Sequence, residues 1–351
     1  MSPGAVVAHL APRAPITSLR FFGRADAALA LLPVQRAFTI GAGGCDLVVP
    51  RALSALVEPL HAALDRVGSG LRVRDQTTAL GIFRALRGPR VDELLVEAGD
   101  VFWLADVPFL ALDTHLEALR SRVAWCVGLD RHVAIDDALE AIANGPIVLL
   151  GPPGSDARWL AEAIHHASPQ RASRFLSAPD GVLPPLDGAA GSTLFLDLDA
   201  IVKLPAPYAK HLFDPALDLH VIFAASHRHR VRAVLDTYCE RTRVVNLWPL
   251  HHRRHELVRL LAIHWRDDLR TGRRVEELPH IDGIAAYSWP RGFPELREHS
   301  VRLLAYLEHG GVRPAARVLQ IAHQTLSNHF RRIGFSCDRV EDDAVVRWRG
   351  R

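Results

Sequence analysis

The chain has 351 residues, 49% of them hydrophobic, and its 42 Lys and Arg nearly balance its 39 Asp and Glu, giving a formal net charge of +3. This length and composition predict two or three globular domains, each with its own core. No run of about 18 apolar residues predicts a membrane-spanning helix. The first residues lack the charged start and apolar stretch of a signal peptide, so we expect a cytoplasmic protein.

The positions of the charged residues and of the cysteines indicate where the basic residues are concentrated and which cysteine-based structures are not expected. Residues 251–351 hold 18 Arg and Lys against 13 Asp and Glu, so the basic excess lies in the C-terminal part. The cysteines include no C-x-x-C pair, which predicts neither a disulfide framework nor a zinc knuckle, and we expect isolated reduced thiols. They are Cys45, Cys126, Cys239 and Cys337.

Residues 16–115 alternate between short strands and turns, as in RAFTIGA, CDLVVP, HAALDRV, GLRVRD and FWLADVPFLAL. Short strands with alternating residues, each bounded by turn residues, are typical of sheets with one buried face. Their succession predicts an all-β sandwich. Residues 116–135, which follow the sandwich, are predicted to be a connector.

The hydrophobic period changes at residue 136, where helices and strands begin to alternate. The helix DDALEAIANG is followed by the strand PIVLLG, the helix RWLAEAIHHA, the strand STLFLDLD, the helix APYAKHLF and the strand LHVIFAAS. This order predicts a parallel α/β sheet over residues 136–249. Residues 250–306 and 307–335 are predicted to be helical, and residues 336–351 form a short charged tail.

Three parts of the sequence resemble known families, in chain order. IGAGGCDLVVP, with RVRD and a late Gly-Asp pair, resembles a forkhead-associated (FHA) domain. LLGPPGSDARWLAEAIHH, GSTLFLDLD, HVIFAASHRH and YSWPRGFPELRE resemble the AAA+ domain of sigma-54-dependent activators, and PAARVLQIAHQTLSNHFRRIGF resembles a Fis-like helix-turn-helix. The resemblance implies a multidomain protein: an all-β FHA-like sandwich, an α/β AAA+ P-loop-type core with a helical lid over 250–306, and an all-α helix-turn-helix over 307–335.

The loop that follows PIVLL resembles a phosphate-binding loop that has lost its lysine. Such a loop is written G-x-x-x-x-G-K-[ST], and its backbone amides and lysine hold the phosphates. Gly151 and Gly154 are retained, whereas Asp156 replaces the second motif glycine and Ala157 replaces the lysine. At an effective dielectric constant of about 20, a carboxylate about 4 Å from a phosphate charge opposes binding by roughly 4 kcal/mol. We therefore expect a vestigial nucleotide site.

Other catalytic positions implied by the activator family are altered as well. Asp197 matches the magnesium-binding aspartate. The water-polarising glutamate, the sensor asparagine, the lid arginine and two partner-facing arginines fall, in that order, on Leu198, His227, Pro294, Ala233 and Cys239. The long insertion that contacts the sigma factor in this family is reduced to DGVLPPLDGAA. Since phosphoryl transfer depends on these positioned groups, we expect no ATP hydrolysis, no sigma-factor contact and no cofactor.

The sandwich lacks the residues with which FHA domains bind phosphothreonine. The family's arginine, serine and asparagine fall on Ala42, Glu58 and Leu80. An acid and two apolar residues do not hold a phosphate dianion, so we expect no phosphopeptide-binding residue and predict a module for contact with protein partners or for oligomerisation. The alternative is a phosphate site rebuilt on loop arginines, which are Arg51, Arg84 and Arg87.

The C-terminal helices retain the residue types that their resemblance requires. Leu326, Phe330 and Ile333 recur at helical spacing and are predicted to be buried, while the small Ala315 and Ala316 let the preceding helix approach. The other face carries side chains that bond to base edges or phosphates in the major groove. The candidate DNA-binding residues are Gln324, Thr325, Ser327, Asn328, Arg331 and Arg332.

Two patterns in the lid segment each allow two interpretations. His251 and His255 within HHRRH are four residues apart, which suits either two metal ligands or the solvated basic start of a helix. No third ligand is indicated, so no metal is expected. An apolar stripe is either core or a dimer seam, and its residues are Leu296, Leu303, Leu304 and Leu307.

The sequence therefore favours a DNA-binding transcriptional regulator that is not an enzyme and that binds double-stranded DNA as a homodimer. One alternative is a protein-interaction scaffold whose helix-turn-helix no longer binds DNA. Another is a slow or nucleotide-sensing ATPase. Salt-dependent DNA binding distinguishes the first two, and nucleotide titration tests the third.

Overall fold

The computed structural model describes residues 13–24, 30–178, 181–275 and 281–335. The chain divides into two compact units, bounded as Met1–Gly151 with Ala157–Leu247, and Pro152–Asp156 with Trp248–Arg351. The first unit contains both the sandwich and the α/β sheet, and the second contains the C-terminal helices. The predicted tail and Cys337 lie outside the described residues.

The N-terminal part of the first unit is an antiparallel β-sandwich, which confirms the predicted fold. Its strands are β1 (Ile16–Phe21), β2 (Ala30–Leu31), β3 (Ala37–Gly41), β4 (Leu47–Val48), β5 (Ala62–Val67), β6 (Gly70–Asp75), β7 (Ile82–Phe83), β8 (Arg90–Val91), β9 (Glu93–Val96), β10 (Val101–Leu104) and β11 (Val107–Asp113). One sheet has the order β2-β1-β11-β10-β7-β8 and the other the order β4-β3-β5-β6-β9. Among the described pairs, only β3 and β4 are parallel.

The two sheets pack through apolar side chains that alternate along each strand. In β9, Leu94 and Val96 are buried while Glu93 and Leu95 are exposed, because successive side chains of a strand point to opposite faces. Buried residues from both sheets form one apolar cluster, which includes Leu19, Phe38, Ile40, Leu64, Phe102 and Phe109.

The segment predicted as a connector, residues 116–135, is mostly helical. Helix α1 (Thr114–Val127) begins after Asp113, whose carboxylate accepts hydrogen bonds from the backbone N–H groups of His115 at 3.0 Å and Leu116 at 2.8 Å. Helix α2 (His132–Ala143) follows after a short turn. Residues 123–127 are all buried, so the end of α1 has no polar face. Its sequence therefore lacks the repeat of apolar and polar residues by which a helix is recognised.

The rest of the first unit is a parallel α/β sheet, as predicted. Its strands are β12 (Ile147–Leu150), β13 (Phe175–Ala178), β14 (Thr193–Asp197), β15 (His220–Ala225) and β16 (Arg243–Asn246), and its helices are α3 (Ala157–Ala167), α4 (Ala206–Leu212) and α5 (Arg228–Leu235). The strand order is β13-β14-β15-β12-β16, with every neighbouring pair parallel. In the central strand β15 every residue after His220 is buried, which is usual for a sheet covered on both faces.

A buried carboxylate joins the sandwich to the helices that follow it. Asp136 of α2 accepts hydrogen bonds from Arg20 Nε of β1 at 3.2 Å, from Arg120 Nε of α1 at 3.2 Å and from the backbone N–H of Gly23 at 2.8 Å. Burial, followed by the charge of Arg20, lowers the pKa of Arg120, although Asp136 opposes this shift. The sandwich and the sheet are therefore parts of one compact unit.

The second unit is helical. It contains α6 (Leu257–Asp267), α7 (Ile281–Ala286), α8 (Phe293–His309), α9 (Val312–Val318) and α10 (His323–Arg332). Leu296 and Leu303 are fully buried and Leu304 and Leu307 are half-buried, so the apolar stripe belongs mainly to the core of this unit. Among the described helices, none combines the length and apolar character needed to cross a membrane.

Candidate functional site

Helix α10 exposes a continuous row of polar side chains. Gln324 Nε2 donates a hydrogen bond to Asn328 Oδ1 at 3.1 Å, and Arg331 Nη1 donates to the same oxygen at 3.3 Å. These three side chains and Thr325 are exposed, and Ser327 is half-exposed. The structure thus brings together most of the predicted DNA-binding residues on one helical face.

The opposite face of α10 is buried as predicted. Leu326 and Phe330 are fully buried, and Ile333 is nearly so. The Phe330 ring lies 5.4 Å from the Tyr306 ring of α8 and 5.0 Å from the Phe335 ring. Ala315 and Ala316 of α9 are also buried. Both faces of α10 are therefore defined by packing within the second unit.

Arg332 differs from the other candidate DNA-binding residues. Its Nη2 donates a hydrogen bond at 3.0 Å to Glu295 Oε1, and the Glu295 side chain is almost fully buried in α8. Tyr287 Oη donates to the same carboxylate oxygen at 3.1 Å. Because a buried carboxylate needs compensating donors, Arg332 links α10 to α8, while half of its side chain stays exposed. Its contact with DNA stays a prediction.

A buried histidine pair forms a second link between α8 and α10. Arg302 Nη1 donates to His329 Nδ1 at 2.8 Å, so His329 carries its proton on Nε2 and donates it to His299 Nδ1 at 3.0 Å. Burial, then the charges of His329 and Arg302, lower the pKa of His299 to about 3. Burial, then the charges of Arg302 and Arg332, lower that of His329 to about 4. Both rings are therefore neutral at pH 7.

The retained glycines of the loop make contacts within the protein. The Gly151 backbone N–H donates to Ala225 O at 3.0 Å and extends the pairing of β12 with β15. The Gly154 carbonyl accepts a hydrogen bond at 3.0 Å from the N–H of Phe293, the first residue of α8. Gly154 has φ of +84°, and an added Cβ there would overlap the Arg291 carbonyl. Close approach of two backbone segments therefore accounts for this glycine.

Asp156 forms a buried ion pair with Arg297 of α8. The Asp156 side chain is 2% exposed, and its backbone has φ of +64°, a conformation that glycine adopts readily and aspartate tolerates. Arg297 follows Pro294 by three residues, so both lie on one side of α8. The carboxylate predicted to repel a phosphate is thus compensated by a positive charge within the second unit.

The strand positions that match the family's catalytic residues are bonded locally. Asp197 Oδ1 accepts a hydrogen bond from the Asp199 backbone N–H at 2.9 Å, and Asp199 Oδ2 accepts one from the Ser226 N–H at 2.7 Å. Leu198 is fully buried in the apolar core of the sheet, while its carbonyl accepts from Arg230 Nη2 at 2.7 Å. These hydrogen bonds therefore fix the conformation of the turn after β14. His227 is exposed at the start of α5.

In the sandwich, Glu58 is bonded to a neighbouring loop. Its Oε1 accepts a hydrogen bond from the Ala79 backbone N–H at 2.5 Å, and its own N–H donates to His61 Nδ1 at 3.2 Å. His61 Nε2 therefore carries the proton and donates to Gly81 O at 3.0 Å. Ala42 lies beside this cluster, where its N–H donates to Glu58 O. The loop residues Leu80, Arg51, Arg84 and Arg87 are exposed.

The histidine cluster at 251–255 is not the start of one helix. Its residues lie on two short 3-10 turns, 250–252 and 254–256, separated by Arg253. Arg253 is 1% exposed, donates hydrogen bonds to Glu256 at 2.9 and 2.6 Å, and lies 5.3 Å from the Phe293 ring centre. The prediction of a solvated basic helix start was therefore wrong at Arg253, although His251 and His255 are exposed.

Sequence reasoning missed the buried charges of the second unit. Glu295 and Arg253 are buried and ion-paired, and no local sequence pattern marks a charged residue as buried. One sequence signal pointed to Arg297. It lies three residues after Pro294, the position that matches the family's lid arginine, and residues three apart on a helix share a face.

No family model matches the chain, and no curated protein matches it. Among solved structures, it is similar to the FHA domain of the CT664 protein from Chlamydia trachomatis, with 17% identity over 27% of this chain and 95% of that chain and a TM-score of 0.24. It is also similar to EmbR from Mycobacterium tuberculosis in complex with a low-affinity phosphopeptide, with 20% identity over 27% of this chain and 24% of that chain and a TM-score of 0.23.

A longer similarity is found to another solved structure. NtrX from Brucella abortus in complex with ATP is 15% identical over 63% of this chain and 68% of that chain, with a TM-score of 0.36. The strand order and burial of the chain itself establish its architecture: an antiparallel sandwich, then a parallel α/β sheet, then C-terminal helices.

Proposed function

We propose that the protein is a DNA-binding transcriptional regulator that reads double-stranded DNA with helix α10. The observation that carries this proposal is the exposed row of Gln324, Asn328 and Arg331 on a helix whose other face is buried. Amide and guanidinium groups pair with base edges in the major groove, and such a helix needs packing behind it to be held there.

The regulator acts without turning over nucleotide. The Gly154 backbone and the Asp156 carboxylate are both bonded to α8, so an incoming phosphate would have to displace these contacts. Leu198 supplies no carboxylate to activate water. This part of the proposal therefore rests on a loop in which the Gly154 carbonyl and the Asp156 carboxylate already have partners within the protein.

The sandwich serves as a module that contacts protein partners. Its Glu58 carboxylate accepts a backbone hydrogen bond and adds negative charge where the FHA resemblance would place a phosphate. Like charges disfavour a phosphate dianion at that position. A partner would therefore be recognised through other surfaces of the sandwich.

Fluorescence anisotropy with genomic fragments recovered by pull-down tests the DNA-binding proposal across a salt series. Arg331→Ala should weaken binding by roughly 1 to 3 kcal/mol if it reads a base, or flatten the salt slope by about one unit if it meets a phosphate. The matched control, Arg228→Ala, removes an exposed arginine from the α/β sheet domain and should leave binding unchanged. Equal binding by the wild type and by both Arg331→Ala and Asn328→Ala would favour the scaffold alternative. A homodimer is expected as the binding form, since one short module binds weakly at physiological salt.

Calorimetric titration with ATP tests the nucleotide part of the proposal. We expect a dissociation constant above about 1 mM and no release of phosphate. Micromolar binding would instead identify a nucleotide-sensing protein. An in vitro assay with sigma-54 polymerase should show no stimulation of open promoter formation, because the sigma-contact insertion is replaced by a short loop.

A further inference from the structure

The exposed face of α10 holds three polar side chains in one hydrogen-bonded group centred on Asn328. Asn328 Oδ1 accepts a hydrogen bond from Gln324 Nε2 at 3.1 Å and a second one from Arg331 Nη1 at 3.3 Å. Gln324 lies four residues before Asn328 and Arg331 lies three residues after it, and such neighbours share one side of a helix. A base that approaches this face therefore meets the three side chains as a group.

The chemistry of these groups fixes the orientation of both amides. A guanidinium has only N–H donors, so the Asn328 atom that faces Arg331 is the oxygen. Gln324 approaches the same oxygen and therefore presents its amide nitrogen to it. A carbonyl oxygen accepts through two lone pairs, and here both have a donor. Asn328 thus keeps only its amide nitrogen, which donates, for a further contact.

An Asn328 that only donates does not suit adenine. Asparagine reads adenine by accepting from N6 with its oxygen while its nitrogen donates to N7, and the Asn328 oxygen is already occupied. Guanine presents two acceptors in the major groove, N7 and O6, whereas thymine presents one acceptor beside a methyl group. Guanine therefore offers the better match to two neighbouring donor groups, the Asn328 amide nitrogen and the Arg331 guanidinium.

The charges around α10 leave Arg331 available for a base. Residues 310–335 include four arginines and no acid. Arg332 is ion-paired with Glu295, whereas within the part of the chain that the structure describes Arg331 bonds to Asn328 alone. That bond uses one Nη1 hydrogen and leaves Nε and Nη2 to donate. Paired donation by arginine to guanine O6 and N7 is the commonest base-specific contact in protein–DNA complexes.

We propose that Asn328 and Arg331 together read guanine through its N7 and O6 acceptors, and that Asn328 does not read adenine. This inference rests on the proposed binding of double-stranded DNA by α10. Three helical residues rise by about 4.5 Å and one base step by about 3.4 Å, so the two side chains reach the same base pair or adjacent ones. Gln324 keeps its own oxygen, which accepts from N6 of adenine or N4 of cytosine.

Binding of base-modified DNA by the full chain tests the proposal. A duplex library with a randomised centre is enriched on the protein, and the enriched pool is then copied with 7-deazaguanine or with 7-deazaadenine. Each analogue keeps Watson–Crick pairing and loses the N7 acceptor. By fluorescence anisotropy we expect binding to weaken at least about tenfold with 7-deazaguanine and less than about threefold with 7-deazaadenine.

Three variants assign the effect through the ratio of the dissociation constants for 7-deazaguanine and unmodified DNA. Arg331→Ala should bring this ratio close to one. Asn328→Asp keeps an oxygen that accepts from Gln324 and Arg331 but has no N–H to donate, so the ratio should fall at least about threefold. The control Arg317→Ala removes an exposed arginine of α9 and should leave the ratio unchanged, even where overall binding weakens.

The outcomes separate guanine reading from DNA binding. Equal binding with and without 7-deazaguanine, or a larger loss with 7-deazaadenine, would overturn guanine reading and leave DNA binding intact. An unchanged ratio in both Arg331→Ala and Asn328→Asp would overturn the assignment to these two residues. Absence of any salt-dependent binding to the library would refute the DNA-binding proposal, and guanine reading with it.

Discussion

Asp156 and Glu58 are acidic residues at positions where the resembled families face an anion. Asp156 is ion-paired with Arg297, and Glu58 accepts the Ala79 backbone N–H. In both places a carboxylate of the protein itself uses a donor that a phosphate would otherwise need. Each carboxylate thus makes an internal contact, and these two residues are informative sites for mutation.

Replacement of Asp156 should reveal how much the ion pair stabilises the protein. Asp156→Asn removes the charge opposite Arg297 and leaves a largely buried guanidinium, so the free energy of unfolding should fall by about 3 kcal/mol. Urea denaturation followed by circular dichroism measures this change. Asp187→Asn, at an exposed residue, is the control and should stay within about 0.5 kcal/mol of wild type. An equally small effect of Asp156→Asn would contradict a stabilising pair.

The His299–His329 pair predicts a pH dependence of stability. The pKa values of about 3 and about 4 lie below the ordinary value of 6.5, so the unfolded chain binds protons before the folded protein does. This contribution to stability is complete above pH 6.5 and is lost as the pH falls toward about 4. Each histidine adds a slope of up to about 1.4 kcal/mol per pH unit.

Urea denaturation at pH 7, 6 and 5 measures that slope. His299→Asn removes one titrating group and should flatten the loss of stability between pH 6.5 and 4. The exposed His211 provides a control, since His211→Asn should leave the slope as it is. If both variants retained the wild-type slope, the acid sensitivity would come from other groups.

At the scale of elements, α10 is the best-defined functional feature. Its buried residues pack against α8 and against Phe335, and Arg332 and His329 bond to α8 through Glu295 and His299. The helix is thus oriented by polar and apolar contacts along one side. The exposed row of Gln324, Asn328 and Arg331 lies on the other side.

Truncation of Phe330 should separate packing from recognition. Phe330→Ala empties a fully buried site between aromatic rings and should lower the free energy of unfolding by roughly 3 to 5 kcal/mol. Arg331→Ala should change it by less than about 0.5 kcal/mol, because that side chain is exposed. Chemical denaturation of both variants, with the exposed Val318→Ala as the apolar control, checks the contrast. Comparable losses for Phe330→Ala and Val318→Ala would show that the ring is not part of the core.

At the scale of the molecule, the sandwich and the α/β sheet share one compact unit. Asp136 bonds to the sandwich through Arg20 and Gly23. Gly99, on the sandwich, lies so close to Ala143 at the end of α2 that a Cβ at Gly99 would overlap the Ala143 methyl group.

A paired substitution tests the junction. Gly99→Ala should cost about 1 to 3 kcal/mol from overlap with Ala143, in addition to about 1 kcal/mol for its positive φ. Gly68→Ala is the matched control, since Gly68 also has positive φ but open space around it. Adding Ala143→Gly should restore only the free energy of unfolding that was lost to the overlap. A double-mutant cycle by urea denaturation measures this recovery. No coupling between the two positions would mean that the sandwich and α2 are not in contact in solution.

The sequence alone was enough to predict the sandwich, the parallel sheet and the two faces of α10, because hydrophobic periodicity is a local property of each element. It was not enough to predict α1, whose consecutive buried residues show no helical period. The tertiary structure alone decided the roles of Arg332, Asp156 and Asp136. The hydrogen-bonded partners Arg20 and Asp136 are 116 residues apart, and Asp156 and Arg297 are 141 residues apart. Such pairings depend on which elements pack together, and packing brings distant residues into contact without leaving a local pattern in the chain.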